Sequence, residues 1–317
     1  MLVHLGWFSL GLLLLVLGAD SFVRGASGLA LRFGIPQLIV GIVLVGFGTS
    51  APELAVNLTA GFAGNARLAV GNVVGSNIAN VGLILGIAAL MMPLTVQMRL
   101  LRIEAPVLLL VYLLLWLLCL DGSIGLFDAG VLLAGFVAMA VVTVRDARTE
   151  PDPVQRELVE AAATRPGLGR NVLRVVIGLS LLLYASHLVV GGAVAMARLS
   201  GIDEVVVGLT VVAIGTSLPE LATSVIAAWQ KRADIAVGNV IGSCLFNVLL
   251  ILGATALVIP LPVDATMRWV QLPVMLAFAL VLYPMVRGDL LISRREGGVL
   301  VAGYAVFLAW QLISVTG

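Results

Sequence analysis

One stretch of this sequence occurs twice. Shifting the chain by 167 residues aligns residues 37–86 with residues 204–253 without a gap, and about half of the aligned positions are identical. A duplication of this length predicts that the same local structure is built twice. The two copies share the patterns G-T-S-x-P-E, at residues 48–53 and 215–220, and G-N-V-x-G-S-x-x-x-N, at residues 71–80 and 238–247.

The whole chain is too apolar for a water-soluble domain. Of its 317 residues, 61% are hydrophobic and 11% are charged, and apolar runs of about 20 residues, each long enough to cross a bilayer, recur from end to end. We therefore predict an all-α integral membrane protein with ten transmembrane helices. The predicted helices lie near residues 5–33, 36–62, 65–92, 99–120, 124–145, 170–199, 202–229, 232–259, 267–287 and 293–315.

The ten helices divide into two repeats of five, residues 1–145 and residues 170–317, which are joined by a polar linker at residues 146–169. Because five is odd, the second repeat enters the membrane from the opposite side, so the repeats are inverted. If the N-terminus is outside, only three of the 18 Lys and Arg residues fall on the outer side, as the positive-inside rule requires. We predict a multi-pass protein of the inner (plasma) membrane with both termini outside and a cytoplasmic linker.

The first shared pattern places a glutamate and a proline inside a membrane helix. A carboxylate is costly at membrane depth and usually marks a functional site, and Pro52 and Pro219 break the helices that carry Glu53 and Glu220. We therefore predict that helices 2 and 7 are broken. Carbonyl oxygens that the break frees beside a carboxylate form a cation site, and such a site is expected near the midplane between inverted repeats.

If the two broken helices meet, Glu53 and Glu220 share one pocket. Two carboxylates in a low-dielectric environment repel each other, so one takes a proton unless a cation binds between them. Neither copy of this pattern contains Cys or His, which argues against zinc or copper and favours the oxygen-coordinated ions Ca²⁺ and Na⁺. The alternative is that Ser50-x-x-Glu53 and its copy at residues 217–220 are ordinary capping boxes at helix starts.

The second shared pattern adds hydroxyl and amide oxygens. Ser76 and Asn80 are four residues apart, as are Ser243 and Asn247, so each pair lies on one helix face. We consider these four side chains candidates to line the same pocket. The alternative is that polar groups of this pattern hold neighbouring helices together, and it stays open most of all for Asn239 and its counterpart in the first copy.

The two patterns, present twice and in inverted halves, resemble the two alpha repeats of the sodium/calcium exchangers, which belong to the calcium/cation antiporter superfamily. The nearest likeness is to short prokaryotic members without a large regulatory loop. The alpha motifs correspond to residues 37–86 and 204–253, and the architecture to the whole chain. The resemblance implies a secondary active antiporter, not an enzyme, in which Na⁺ and Ca²⁺ compete for one midplane site that faces each side alternately.

The resemblance also implies which residues bind the transported ions. Two glutamates would bridge Ca²⁺ and also hold Na⁺, the backbone oxygens of two threonines would complete the Ca²⁺ shell, and four serines would serve the Na⁺ positions. Two asparagines would line the middle of the site, and a backbone carbonyl in each half would join a Na⁺ position. In that order, these residues are Glu53 and Glu220, Thr49 and Thr216, Ser50, Ser217, Ser76 and Ser243, Asn80 and Asn247, and Ala213 with Gly46. No cofactor, nucleic acid or obligate protein partner is implied; the expected partners are Ca²⁺, Na⁺ and the lipid bilayer.

Several positions bear on the coupling ion. Asn247 stands where several relatives, including potassium-dependent ones, have Asp, which makes potassium coupling less expected, and Gly46 replaces a usual Ala. The proton-coupled calcium exchangers of the superfamily carry Glu after G-N-x-x, where this sequence has Gly75 and Gly242. Proton-coupled antiport stays open as an alternative, and a cation channel is a more distant one. No P-loop, H-E-x-x-H or G-x-S-x-G motif indicates an enzyme.

Overall fold

The structure, a computed structural model, describes residues 2–64, 66–147, 167–199 and 213–316. The predicted linker falls mostly on residues 148–166, which lie outside these ranges, as do the first residues of the helix predicted at 202–229. The helices are α1 (Leu2–Phe33), α2 (Gln37–Thr49), α3 (Ala51–Phe62), α4 (Ala66–Met91), α5 (Leu100–Asp121), α6 (Leu126–Ala147), α7 (Leu168–Leu199), α8 (Ala213–Thr216), α9 (Leu218–Trp229), α10 (Ala233–Val258), α11 (Met267–Arg287) and α12 (Arg294–Thr316). Four two-residue strands connect some of them: β1 (Leu94–Thr95), β2 (Ser123–Ile124), β3 (Leu261–Pro262) and β4 (Leu291–Ile292).

Eight of the helices in the described ranges are long and apolar enough to cross a membrane, and α2 with α3 forms a ninth span that is bent by 42°. The bend falls at Ser50, two residues before Pro52, so the predicted break in helix 2 is confirmed. In the second copy, Ser217 separates α8 from α9. The chain is therefore a multi-pass membrane protein whose described helices agree with the predicted bounds to within a few residues.

The sequence repeat is also a repeat of secondary structure. Helix α10 begins and ends 167 residues after α4, α9 begins and ends 167 residues after α3, and β3 follows β1 by the same offset. The two copies also share a π-helical turn, in which the helix is locally wider. These turns cover Asn80–Leu85 in α4 and Asn247–Leu252 in α10. π-Helical turns inside α-helices are rare and are frequent at functional sites. The turns start at the two asparagines that are candidates to line the pocket.

The short strands tie the two halves of the chain together. β1 pairs with β4, and β2 pairs with β3, both antiparallel. Helix α5 separates β1 from β2, so the two strand pairs lie at opposite ends of that helix. β3, the counterpart of β1, therefore lies beside β2 and not beside β1.

Helices α4 and α10 form the centre of the molecule. In their most apolar stretches 78% and 94% of the residues are buried, whereas the corresponding values for the six other long helices are between 17% and 39%. Helix α2 crosses α10 with its backbone in contact: a Cβ added at Gly242 would lie 2.4 Å from the carbonyl oxygen of Ile42, and one at Gly46 would lie 2.9 Å from the nitrogen of Ser243. Small residues permit such a close approach of membrane helices.

Helices α1 and α7 run antiparallel along most of their length. A Cβ added at Gly18 would lie 3.0 Å from the carbonyl oxygen of Gly178, so glycines again bring two backbones together. The i, i+4 spacing of Asp20 and Arg24 predicts a local ion pair, and this is confirmed at 2.8 Å. Asp20 also accepts a hydrogen bond from Gln230, at the end of α9, at 2.8 Å. The α1–α7 pair is therefore tied by a polar contact to the rest of the molecule.

Candidate functional site

The two breaks carry the serines of the first shared pattern. Ser50 (φ −82°, ψ 3°) and Ser217 (φ −93°, ψ 10°) stand at the N-cap positions of α3 and α9, each followed by a proline in the first helical turn. Neither serine makes a side-chain capping hydrogen bond. The capping-box alternative therefore does not describe what these side chains do. Ser50 Oγ instead donates to Glu220 Oε1 of the other half at 3.3 Å.

The two glutamates are buried in the same region. Glu53 and Glu220 stand in the first turns of α3 and α9, and each is 1% exposed. Glu53 interacts electrostatically with Glu220 and with the hydroxyl of Ser217. The two salt bridges described, those of Arg24 and Arg99, involve other carboxylates. The carboxylates of the two halves are thus brought together without a basic partner among the described salt bridges.

Polar contacts between the halves surround these carboxylates. Ser217 Oγ donates to Ser76 Oγ at 3.5 Å, and Ser243 Oγ donates to the backbone oxygen of Gly46 at 3.4 Å. The two serines of the second pattern, predicted to line the pocket, are 4% and 0% exposed. Each contact joins one half of the chain to the other, so the two shared patterns build one region.

Four carboxylate and amide oxygen atoms of the predicted site residues have no hydrogen-bond donor. They are Glu53 Oε2, Glu220 Oε2, Asn80 Oδ1 and Asn247 Oδ1, all buried. An unsatisfied polar atom in the interior costs about 1–3 kcal/mol, and more when it is charged. Carboxylate and amide oxygens are ligands that hard cations prefer, so each of these four atoms is of a type that a bound cation would satisfy. The side chains that are present therefore fit the oxygen-coordinated ions predicted from the sequence.

The remaining predicted residues are placed as follows. Thr49 is fully buried at the end of α2, and Thr216 is half-buried at the end of α8. Ala213 is the first residue of α8, and only its backbone is described. In the described part of the chain no group of three or more His, Cys, Asp or Glu side chains could hold a metal ion. A cation here would depend on two carboxylates supplemented by hydroxyl, amide and backbone oxygens.

Asn239 has a larger part in this region than the sequence indicated. Its Nδ2 donates to the backbone oxygen of Glu220 at 3.2 Å and to Ser224 Oγ at 2.8 Å. Its Oδ1 accepts a hydrogen bond from Thr49 Oγ1 at 3.1 Å. One fully buried amide thus connects the ends of both broken helices. Helix packing, the alternative kept open for Asn239, describes its contacts, but it joins α9, which carries Glu220, to the end of α2, directly before the break that precedes Glu53.

Asn77 was not singled out in the sequence at all. It is fully buried, and its side chain donates to the backbone oxygen of Cys244 and accepts from Asn247. Comparing the two copies hides this residue, because its counterpart is Cys244. The available signal was the cost of burying an amide in an apolar membrane helix, which points to a specific partner.

Comparison with known proteins agrees with this architecture. The family model described as sodium/calcium exchanger protein matches residues 3–145 and 171–313. Inner membrane protein YrbG of Escherichia coli (strain K12) is 39% identical over 317 residues, which cover 98% of this chain and 97% of YrbG. Sodium/calcium exchanger MaX1 of Methanosarcina acetivorans is 32% identical over 334 residues, which cover 94% of this chain and 95% of MaX1.

A solved structure shows the same fold. The sodium-calcium exchanger NCX_Mj, soaked with 2.5 mM Na⁺ and 10 mM Sr²⁺, superposes with a TM-score of 0.85 at 31% sequence identity. The match covers 97% of this chain and 98% of that chain. The likeness therefore extends over both halves and is not confined to the duplicated patterns.

Proposed function

Because the chain belongs to the sodium/calcium exchanger protein family, we propose that it is a secondary active antiporter that exchanges Na⁺ for Ca²⁺ across the cell membrane. The observation that carries this proposal is the set of four buried oxygens without a donor. Each half contributes one glutamate and one asparagine to this set. Such a set suits a cation that both halves of the protein bind together.

In this proposal the glutamates are the shared ligands. Glu53 and Glu220 bind Ca²⁺ together with the backbone oxygens of Thr49 and Thr216, and the same carboxylates hold Na⁺. The serines at the two breaks and in the second pattern complete the Na⁺ positions, with the carbonyls of residues 46 and 213. The amide oxygens of the two asparagines line the middle of the site. Ca²⁺ typically takes about six to eight oxygen ligands of this kind, from carboxylates, carbonyls and amides.

Competition for the carboxylates couples the two ions. Ca²⁺ and Na⁺ both need Glu53 and Glu220, so they occupy the site in turn and not together. A pocket that contains two buried charges and no cation is unfavourable, because neither charge is paired. The empty protein therefore resists the conformational change, and this prevents uncoupled leak. The Na⁺ gradient drives Na⁺ inwards and Ca²⁺ outwards.

The strand pairs support an inverted arrangement of ten transmembrane helices. β1 and β4 belong to connections that the positive-inside rule assigns to the cytoplasm, and they pair with each other. β2 and β3 belong to connections assigned to the outside, and they also pair with each other. We therefore assign residues 1–145 and 170–317 to the two inverted repeats, with a cytoplasmic linker at 146–169. Both termini then lie outside the plasma membrane.

The α1–α7 pair is the candidate moving gate. It covers the glycines that precede both breaks: a Cβ added at Gly48 would lie 3.2 Å from the ring of Phe22 in α1, and one at Gly215 would lie 2.2 Å from the side chain of Val190 in α7. Movement of this pair relative to the broken helices would open the site to one side or the other. Inverted repeats around a fixed site commonly work by such rocking or gating.

The position of Gly242 favours Na⁺ over protons as the counter-ion. The proton-coupled branch carries a glutamate at this place in the pattern. Here, even a Cβ would lie 2.4 Å from the carbonyl oxygen of Ile42, so no larger side chain fits. At Gly242 the chain thus lacks both this carboxylate and the space for it. At Gly75, the same place in the first copy, the carboxylate is also absent, although no described atom lies within 4 Å of an added Cβ.

Uptake of ⁴⁵Ca²⁺ into proteoliposomes tests the function and the counter-ion together. We expect rapid uptake when the vesicles contain Na⁺, and none above background when they contain K⁺ or have an acidic interior. Uptake that follows the proton gradient instead would contradict Na⁺ coupling. Conduction of Ca²⁺ without any counter-ion would identify a channel, and no uptake under any gradient would contradict transport of Ca²⁺.

We expect Asn239→Ala to weaken Ca²⁺ binding. The substitution removes the amide that bonds to the backbone oxygen of Glu220 and accepts from the hydroxyl of Thr49, although that hydroxyl can still donate to the backbone oxygen of Val45. Losing such hydrogen bonds costs about 0.5–1.5 kcal/mol each, so we expect a loss of affinity of roughly tenfold. Equilibrium ⁴⁵Ca²⁺ binding in detergent measures the effect, and the melting temperature without Ca²⁺ shows whether the fold is retained. A folded variant with unchanged affinity would show that Asn239 only packs helices.

A further inference from the structure

A chain of buried amides determines which end of Asn247 faces the pocket. Asn77 is fully buried, and its Nδ2 donates to the backbone oxygen of Cys244 at 3.3 Å. A carbonyl oxygen can only accept, so this bond establishes which end of the Asn77 amide is nitrogen. The opposite end, Oδ1, can only accept in turn, and it receives Asn247 Nδ2 at 3.0 Å. The backbone oxygen of Cys244 therefore determines the orientation of the Asn247 amide through two successive hydrogen bonds.

The result is that Asn247 presents its oxygen, which has no donor. Asn247 lies one helical turn after Ser243 on the same face, and Ser243 bonds to the backbone oxygen of Gly46 where α2 crosses α10. The two ends of an amide are opposite in character, since the oxygen attracts a cation and the NH₂ group repels it. We propose that Asn77 is a positioning residue that controls ion affinity by holding the oxygen end of Asn247 toward the cation. This inference rests on the proposed function.

Loss of Asn77 would release the Asn247 amide. Its NH₂ group could then turn and donate to the partnerless carboxylate oxygens, Glu53 Oε2 or Glu220 Oε2. A hydrogen bond to a carboxylate is about twice as strong as one between neutral groups, and an arriving ion would have to break it. The empty site would become more stable and the cation-bound site less so. Ca²⁺ affinity would fall although no ligand had been removed.

An aspartate at position 247 would not need this control, because both of its oxygens attract a cation. This difference separates an orienting role from a structural one. If Asn77 acts through the orientation of residue 247, replacing Asn77 matters only while residue 247 is an amide. If Asn77 only supports packing, its replacement has the same effect with either residue at that position.

A double-mutant cycle on the full-length protein in detergent tests the proposal, with ⁴⁵Ca²⁺ dissociation constants measured for Asn77→Ala, Asn247→Asp, the double variant and the unaltered chain. We expect Asn77→Ala to raise the dissociation constant about tenfold alone, because the arriving ion must then break one charge-assisted bond between Asn247 and a carboxylate. In the Asn247→Asp background we expect a change of about twofold or less, so that the two substitutions are strongly coupled. Equal effects in both backgrounds would overturn the orienting role.

Asn77→Asp is the conservative variant and guards against a folding defect in Asn77→Ala. With its carboxyl group protonated, as burial favours, the side chain has the same shape, can donate to the backbone oxygen of Cys244 and can accept from Asn247 Nδ2. We therefore expect it to retain Ca²⁺ affinity within about threefold. A loss as large as that of Asn77→Ala would overturn the proposal, because the oxygen that orients Asn247 would still be present. If the unaltered chain binds Ca²⁺ and the cycle shows no coupling, only this inference fails. If the unaltered chain binds no Ca²⁺, the proposed function fails and this inference with it.

Discussion

Replacing Glu220 by glutamine is expected to abolish Na⁺-driven Ca²⁺ uptake, and Glu53→Gln is expected to do the same. Each substitution keeps the size of the side chain and removes one of the two charges that bind the ion. Losing one member of a buried charge interaction typically costs about 2–5 kcal/mol, so affinity should fall by roughly two orders of magnitude or more. Initial rates of ⁴⁵Ca²⁺ uptake into Na⁺-loaded proteoliposomes measure this loss.

The fold is expected to survive these substitutions. Both carboxylates are buried without a basic partner among the described salt bridges, so removing one charge relieves repulsion. The melting temperature without Ca²⁺ should be equal to that of the unaltered chain or higher. A ligand that binds only the folded state raises the melting temperature, and we expect Ca²⁺ to stabilise the unaltered protein but neither variant.

Glu104→Gln is the matched control. Glu104 is also a buried carboxylate in a membrane helix, at 8% exposure, but it pairs with Arg99 at 2.8 Å. A glutamine can still accept that hydrogen bond, so uptake and Ca²⁺ stabilisation should be retained. Robust exchange by Glu53→Gln or Glu220→Gln would contradict the site. Equal loss in Glu104→Gln would show that any buried carboxylate is needed for folding.

The helix bounds and the breaks could be predicted because their causes are local. Apolar runs determine where a membrane helix lies, and Pro52 and Pro219 follow Gly-Thr-Ser sequences at which the helix is interrupted. A proline alone is not sufficient, since Pro284 lies inside α11. The duplication gave a second, independent indication of each helix bound, since an element found in one copy is expected at the same place in the other. The π-helical turns at Asn80–Leu85 and Asn247–Leu252 had no such signal. A turn of six residues does not change the apolar pattern enough to be recognised.

The partners of the polar side chains could not be predicted, because they lie in the opposite half of the chain. Ser50 is three residues from Glu53, which predicts a capping box, yet its hydroxyl donates to Glu220. Asn77 and Asn247 meet only because α4 and α10 cross in the centre of the molecule. Sequence spacing gives the face of a helix on which a residue lies. It does not give the helix that this face meets.

The crossing of α2 and α10 should be the most sensitive packing contact, and Gly242→Val tests it. A Cβ at this position would lie 2.4 Å from the carbonyl oxygen and 2.7 Å from the Cα of Ile42. Backbone atoms cannot rotate away as a side chain can, so the two helices must separate. Overpacking a tight contact costs about 1–3 kcal/mol of stability and occasionally more. Valine adds two methyl groups besides the Cβ, so we expect this variant at the upper end of that range.

Separating α2 from α10 should also destroy ion binding, because the hydrogen bonds from Ser243 to Gly46 and from Thr49 to Asn239 span this crossing. We expect Gly242→Val to lose Ca²⁺ binding and to melt well below the unaltered protein, with Gly242→Ala between them. Gly130→Ala is the control: Gly130 is exposed on α6, and no described atom lies within 4 Å of an added Cβ. Alanine is the better helix former by about 1 kcal/mol, so this variant should be as stable as the unaltered protein or more so. Full uptake and an unchanged melting temperature in Gly242→Val would show that the two helices are not in backbone contact.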